Sequence, residues 1–552
     1  MRAFQKGLVY ERLDRTSEAD FPNLIAAQTV LCKELSTLSS TRESSESRLR
    51  SLLVLDQYAQ HIQGRLLVAY VEGDGQLRPL HPRYLISARR LSRSFARAYE
   101  DLLEHIEEAA DGLWRQRITT VLLQLFRQWQ GELLLRLLRY KKRNSEQWRQ
   151  LNKAYRSAQA RGLENDVHSH LVDNQPASAR TLKQQFIEIL LLGAMNTGQF
   201  SPRELLWAND WIAHWSGLLT LQPVRAKQAD RFEPNGFVLD ISGAEGLKRF
   251  HPGETVDLLH LDTVPLVGAI DRRIATPIDM SRVDPSQVTM PQDGQIALLS
   301  KLRILFAPDP VQINRRDDRK CIALSVQSVS GLRHIVQAVR EESQRRTAQV
   351  ADTSGALDAN TPTISVATTR VPAVWQVRDW SQSGCRLRGR TTDLNDVVPG
   401  SLISIREHQN AHLIVAVVRR LRRLMVDHIE IGVEHIGREP RFVKLINGSY
   451  PDSSVTDLPN GPHRIFGALY LPVSVKRPTI GIKALVVPVA AFNPGQIVTL
   501  LSSTGTHSLR LKKALEQQAD FVWTTFTLID KQEPRSEPTP GMIANMQLEH
   551  HC

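Results

Sequence analysis

The stretch Val374-Trp375-Gln376-Val377-Arg378-Asp379-Trp380-Ser381-Gln382-Ser383-Gly384-Cys385-Arg386-Leu387-Arg388 decides the fold of the second half of the chain. Val374–Val377 and Cys385–Arg388 read as two strands, with D-x-S-x-x-G closing the first and opening the second. Upstream, Asn314-Arg315-Arg316-Asp317-Asp318-Arg319 gives R-x-x-x-R in a run that follows Pro308 and Pro310, hence a loop, ahead of an expected strand at Cys321–Val326. The chain before these two stretches is mostly helical in pattern, and the chain after them is mostly β.

Working outward to the N-terminus, apolar residues from Phe21 to about Leu221 recur at helical spacing. Leu122, Leu123, Phe126, Trp129, Leu133 and Leu137 form one such stripe. Leu52–Val71, Leu85–Ala109, Ala179–Gly193 and Pro202–Leu219 read the same way, with Ser201 as N-cap and Pro202 at the first helical position. Residues 1–222 are therefore expected to form a helical array. Residues 223–300 look like a β-rich connector, with strands at Gly236–Leu239, Thr255–Leu259 and Ile296–Leu299.

Toward the C-terminus, Gly331–Glu342 reads as a short helix and the polar stretch 343–363 as a flexible insertion. Strands are expected at Ala373–Val377, Cys385–Arg388, Ser401–Ile405, His412–Val418 and His428–Glu434. Closely spaced short strands of this kind suggest an antiparallel β-barrel over 301–450. More strands between Ala468 and Leu528 imply a second β unit over 451–530. The Pro- and Glu-rich 531–552 reads as a disordered tail. The fold class is multidomain α+β.

The 552 residues carry a net charge of +12, which favours an anionic partner. Cys32, Cys321, Cys385 and Cys552 are far apart and form no CxxC pair, and no apolar run is long enough to span a membrane, so a reducing cytoplasm is expected. No catalytic or metal-binding constellation is recognisable: HExxH, P-loop, GxSxG and GxGxxG patterns are all missing. The chain is read as non-enzymatic. Arg136, Arg139, Lys141, Lys142 and Arg143 form a basic cluster that could meet phosphate; the plainer reading is the polar side and end of a long helix, where the macrodipole favours cations. Trp207, Trp211 and Trp215 form a stripe better suited to core packing than to stacking on bases.

The two central stretches have a shared chemistry. An arginine fork donates two hydrogen bonds to guanine O6 and N7, chelates a phosphate, or stacks on a purine. Asp379 and Ser381, two residues apart on an extended chain, face the same side; a carboxylate there accepts from guanine N1–H and N2–H₂. Gly384 allows positive φ or a close approach. Each stretch alone is also matched by a plainer structure: a charged turn pairing Arg315, Arg316 and Arg319 with Asp317 and Asp318, or a β-turn capped by Asp379 and Ser381.

Together, in this order and followed by the hairpins of Ala411–Gly437, the two stretches resemble the PilZ domain, a six-stranded barrel that binds cyclic di-GMP. The resemblance covers roughly 302–440. It implies that Arg315, Arg316 and Arg319 clasp guanine and phosphate while Asp379, Ser381 and Gly384 form the opposite wall. It implies a receptor with no cofactor, whose ligand is cyclic di-GMP and whose helical half carries the output to a protein partner. The alternative is a scaffold that binds protein or, less expectedly, nucleic acid beside a degenerate barrel. Sixty residues separate Arg319 from Asp379, and the helix and the polar insertion account for that length.

Overall fold

The computed structural model describes residues 21–40, 44–72, 82–108, 114–141, 143–168, 171–172, 175–176, 180–195, 197–224, 236–250, 258–276, 292–308, 319–321, 324–353, 372–390, 397–406, 412–424, 428–447, 465–475, 480–502 and 505–532. Two compact units divide the chain: 1–315 with Leu421–Arg423, and 316–552 without those three residues.

The first unit is built from helices α1 (Phe21–Ser40), α2 (Ser45–Glu72), α3 (Pro82–Glu108), α4 (Trp114–Leu137), α5 (Ser145–Ala160), α6 (Leu182–Ala194) and α7 (Pro202–Trp215). α4 is buried on several sides because its sequence is apolar on several sides: Val121, Leu125, Phe126, Leu133 and Leu137 are all shielded from solvent. Three helices begin with a reciprocal capping box, at Asn144/Gln147, Thr181/Gln184 and Ser201/Glu204. Ser201 and Pro202 hold the cap and first-turn positions that the sequence predicts. In the tryptophan stripe Trp207 and Trp211 pack edge to ring with centroids 5.8 Å apart, and Trp211 and Trp215 are tilted at 5.9 Å.

Residues 220–306 add a small sheet, β1 (Thr220–Pro223), β2 (Phe237–Asp240), β3 (Lys248–Arg249) and β4 (Leu258–Asp262), in the order β1-β4-β2-β3. Helices α8 (Val264–Ala275) and α9 (Gln292–Phe306) follow. Phe237, Leu239, Leu261, Leu266, Leu299 and Phe306 join the same apolar core as the helical array. The strand expected at Ile296–Leu299 is a turn of α9. Four apolar residues in a row do not distinguish a period of 2 from one of 3.6, and the longer pattern through Phe306 decides for helix.

The second unit contains two closed six-stranded antiparallel barrels. Barrel one comprises β5 (Leu324–Ser330), β6 (Ala373–Ser381), β7 (Gly384–Arg390), β8 (Leu402–Arg406), β9 (Ile414–Arg423) and β10 (His428–Arg438). Its order is β7-β6-β5-β8-β9-β10, closed by β7 against β10. Barrel two comprises β11 (Arg441–Asn447), β12 (Ile465–Val475), β13 (Ile480–Val487), β14 (Ile497–Ser502), β15 (Gly505–Gln517) and β16 (Val522–Gln532). Its order, β13-β12-β11-β14-β15-β16 closed by β13 against β16, repeats that of barrel one strand for strand. The barrels share one hydrogen-bonded surface, because Gly437 and Arg438 at the end of β10 pair with Ser474 and Val473 of β12.

Between β5 and β6 runs α10 (Leu332–Thr353), longer than the expected helix. Residues 343–353, expected to be a flexible insertion, continue it: Gln, Arg and Ala favour helix, and a lack of aromatics does not prevent one. Leu332, Ile335 and Val339 form a single stripe on α10. They pack with Leu402, Val415 and Val417 of barrel one and with Leu469, Leu471, Val486 and Trp523 of barrel two. Arg419 of β9 adds a polar brace, donating from Nη1 and Nη2 to Glu516 of β15 at 2.5 and 2.6 Å and from Nε to Glu434 of β10 at 2.6 Å. Burial opposes its charge, but Glu516 and Glu434 outweigh burial and hold its pKa above the ordinary arginine range.

Lys531 and Gln532, placed in the expected tail, end β16; residues 533–552 lie outside the described residues. No described helix is long and apolar enough to cross a membrane.

Candidate functional site

β6 and β7 are joined by the two-residue turn Gln382-Ser383, which fixes their register: Ser381 faces Gly384, Trp380 faces Cys385 and Asp379 faces Arg386. One step further the register shifts, with Val377 opposite Leu387, so Arg378 is an extra residue on β6. A bulge of this kind resets which side chains share a face. Residues facing each other across an antiparallel ladder point the same way. Asp379 and Ser381 therefore share the face of Arg386, while Trp380 shares that of Cys385.

Asp379 is 4 % exposed, and two guanidiniums hold it there. Arg319 Nη1 donates to Oδ1 at 3.0 Å, and Arg386 Nη2 lies 2.7 Å from Oδ2. A buried carboxylate requires such partners. The guanidiniums themselves stay about half exposed, and Arg386 also reaches Glu430 at 3.6 Å. Arg319 is placed by its neighbour: Lys320 and Trp380 exchange backbone hydrogen bonds at 3.0 and 2.9 Å, adding a one-residue rung to the end of β6.

Ser381 turns inward on its own loop, donating to the Gly384 carbonyl at 2.9 Å. The plainer turn-capping role thus applies to Ser381 and not to Asp379. Gly384 is required for a steric reason rather than for positive φ: a Cβ there would lie 2.1 Å from the Val433 carbonyl oxygen on β10. Next to it, His435 anchors the turn. Its backbone N–H donates to the Ser383 carbonyl at 2.9 Å, its Nδ1 lies 3.2 Å from the Gln382 carbonyl, and its ring sits 5.0 Å from that of Trp380. Burial lowers its pKa to about 4, so the ring is neutral at pH 7 and Nδ1–H is the donor. Trp380 is a packing residue. Cys385, beneath it, has its thiol pushed up to about 12 by burial and by Asp379.

Arg319, Asp379, Ser381 and Gly384 are thus gathered at one end of barrel one. Arg315 and Arg316 lie outside the described residues. Sequence reasoning missed Arg386 and His435. Arg386 was within reach, since a two-residue turn between Ser381 and Gly384 already sets it opposite Asp379. His435 had no local signal, because only barrel closure brings β10 to the turn.

The result is a buried carboxylate under two accessible guanidinium forks, a surface that can exchange its internal anion for an external one. No group of His, Cys, Asp and Glu among the described residues could hold a metal ion. Barrel two has no counterpart: its first strand follows β10 through the two-residue turn Glu439-Pro440, leaving no room for an arginine loop.

Residues 15–227 match the family model described as the cyclic-di-GMP receptor FimW, N-terminal domain. That match covers less than half of the chain and falls on the helical array rather than on the barrels. No curated protein and no solved structure matches the chain.

Proposed function

We propose that this chain is a non-enzymatic receptor for cyclic di-GMP and that the ligand is held at the Arg319–Asp379–Arg386 end of barrel one, a barrel of PilZ type. The observation that carries this reading is the direct pairing of Arg319 with Asp379, which joins the two halves of the motif in one place. The similarity of residues 15–227 to a cyclic-di-GMP receptor family supports it independently.

Binding proceeds as an exchange of partners. The ligand's phosphates take over the guanidinium forks of Arg319 and Arg386, with Arg315 and Arg316 supplied by the chain just upstream. Asp379, released from one or both of them, accepts from guanine N1–H and N2–H₂. Charge-assisted hydrogen bonds are conserved in number, and selectivity comes from the guanine edge. Because Lys320 is laced to Trp380, moving Arg319 pulls on β6. The ligand shifts the barrels toward whichever arrangement it binds better, and the helical half passes the change to a protein partner.

Calorimetric titration of the full chain with cyclic di-GMP, cyclic di-AMP and GTP tests the reading. Saturable binding of cyclic di-GMP alone, lost in Arg319→Ala, is the expected result. A folded chain that binds none of the three overturns it in favour of a scaffold with a degenerate barrel.

A further inference from the structure

Two glycines of barrel one stand where the fold leaves no room for a side chain; a third does not. At Gly384 a Cβ would meet the Val433 carbonyl oxygen at 2.1 Å, and at Gly437 it would meet Leu471 Cδ1 at 2.8 Å. At Gly432, inside β10, a Cβ would have one neighbour within 4 Å among the described residues. That neighbour is Arg420 Cβ at 3.6 Å, an ordinary van der Waals contact. The φ of Gly432 is not positive, and the β7–β10 ladder runs past it without a shift in register. A glycine inside a strand gives up backbone entropy and a packing side chain. With no crowding, no positive φ and no break in that ladder to explain it, the remaining use is close approach of a ligand.

Gly432 lies in the row that carries the Arg319–Asp379–Arg386 cluster. Arg386 of β7 is its ladder partner, and Arg386 in turn faces Asp379 of β6. On the other side, the amide of Leu424 donates to the His428 carbonyl at 3.0 Å. Four residues further along each strand, Arg420 of β9 comes opposite Gly432, in agreement with the Cβ contact. Partners across an antiparallel ladder point to one face. Asp379, Arg386, Gly432 and Arg420 therefore stand side by side on the outer face of the barrel. Leu387, Ile431 and Val433, which alternate with them, are buried.

Neighbouring strands are about 4.8 Å apart, so Arg386 and Arg420 flank a gap about 10 Å wide whose floor is the bare peptide of residue 432. Glu430 and Glu434 close its ends, about 14 Å apart along β10. Both are engaged: Glu430 lies 3.6 Å from Arg386 Nη1, and Glu434 accepts from Arg419 Nε at 2.6 Å. The Arg386 side chain is about half exposed and Arg420 is exposed, so both forks can turn toward the gap.

We propose, resting on the reading of this site as a cyclic di-GMP receptor, that Gly432 is the seat of the ligand's second guanine and that Arg420 reads it. The ring lies flat on the Gly432 peptide while Asp379 holds the first guanine. The Arg420 fork donates to O6 and N7, and Arg386, between the two bases, keeps the phosphates. A phosphate alone needs no bare floor, because guanidiniums reach it over ordinary side chains; a flat ring does need one.

The test is calorimetry of the full chain with cyclic di-GMP and cyclic di-AMP, with a thermal melt on each variant. Gly432→Val should weaken cyclic di-GMP binding at least about tenfold, and Gly432→Ala by less. The melting temperature should hold or rise, because the Cβ has room and a branched side chain suits a strand. Arg420→Gln should weaken binding about tenfold and narrow the preference over cyclic di-AMP, since glutamine pairs with the N6/N7 edge of adenine. Arg420 is exposed, so this variant carries the test if a branched residue at 432 disturbs the barrel. Wild-type binding that is lost in Arg319→Ala but unchanged in Gly432→Val and Arg420→Gln overturns the inference and leaves the receptor reading standing. A folded wild-type chain that binds no cyclic di-GMP overturns both.

Discussion

Arg319 and Asp379 are sixty positions apart in sequence, yet Nη1 of one lies 3.0 Å from Oδ1 of the other. Between them lie β5, hydrogen-bonded to β6 from Leu324 to Ser328, and the 22 residues of α10.

From that pairing follows the first expectation. Arg319→Ala should weaken cyclic di-GMP binding by about 1–3 kcal/mol, or roughly 5- to 150-fold, as for a lost charge-assisted contact. Its melting temperature should barely change, since the arginine is half exposed and Arg386 still covers Asp379. Calorimetry and a thermal melt on the same preparation separate the two effects; a large melting shift would make Arg319 a structural residue instead.

Gly384→Ala forces a methyl against the Val433 carbonyl and should cost on the order of 1–3 kcal/mol or more, because the neighbour is backbone and cannot rotate away. Gly268→Ala on α8, where only the tip of Arg272 is near, should be neutral or stabilising by about 0.5–1 kcal/mol. Urea unfolding of both variants checks the contrast.

His435 makes the turn sensitive to acid. Its folded-state pKa is lowered to about 4, below the 6.5 of an exposed histidine, so its contribution is intact above pH 6.5. As pH falls toward 4 the unfolded chain takes up the proton first, and stability is lost, by on the order of 3 kcal/mol in total at about 1.36 kcal/mol per pH unit. His435→Gln, which keeps a donor for Gln382, should flatten that limb between pH 6.5 and 4. An unchanged acid limb in denaturant titrations would assign the effect to other groups.

Arg419→Met, Glu516→Gln and the double variant form a cycle across the two barrels. Each single change removes a bidentate charge-assisted pair while Glu434 still reaches Arg419 and Gln518 still donates to Glu516, so each should destabilise by roughly 1 kcal/mol, with a coupling energy of about 1 kcal/mol. A coupling energy near zero would leave α10 and the β10–β12 pairing as what joins the barrels.

The helical half was legible because its apolar stripes and capping boxes are local signals, as at Ser201-Pro202-Arg203-Glu204. The D-x-S-x-x-G hairpin was legible for the same reason. Three features were not. α10 continues through a polar sequence that composition alone read as disorder. The bulge at Arg378, which sets the face of Asp379, depends on pairing with β7 rather than on its own residues. His435 reaches the site only by closure of β7 against β10, a contact between residues fifty positions apart, such as Gly384 and Glu434.

The order of strands also sets a timetable for folding. The β6–β7 hairpin can form within about 1–10 μs of leaving the ribosome. Barrel one cannot close until β10 has been synthesised, because β10 is the strand that seals β7. At about 5–20 residues per second, the stretch from Asp379 to Arg438 takes several seconds to make. Throughout that interval the nascent chain carries Asp379 without the histidine that anchors the turn. The candidate site is therefore a late product of synthesis, complete only once β10 has sealed the barrel.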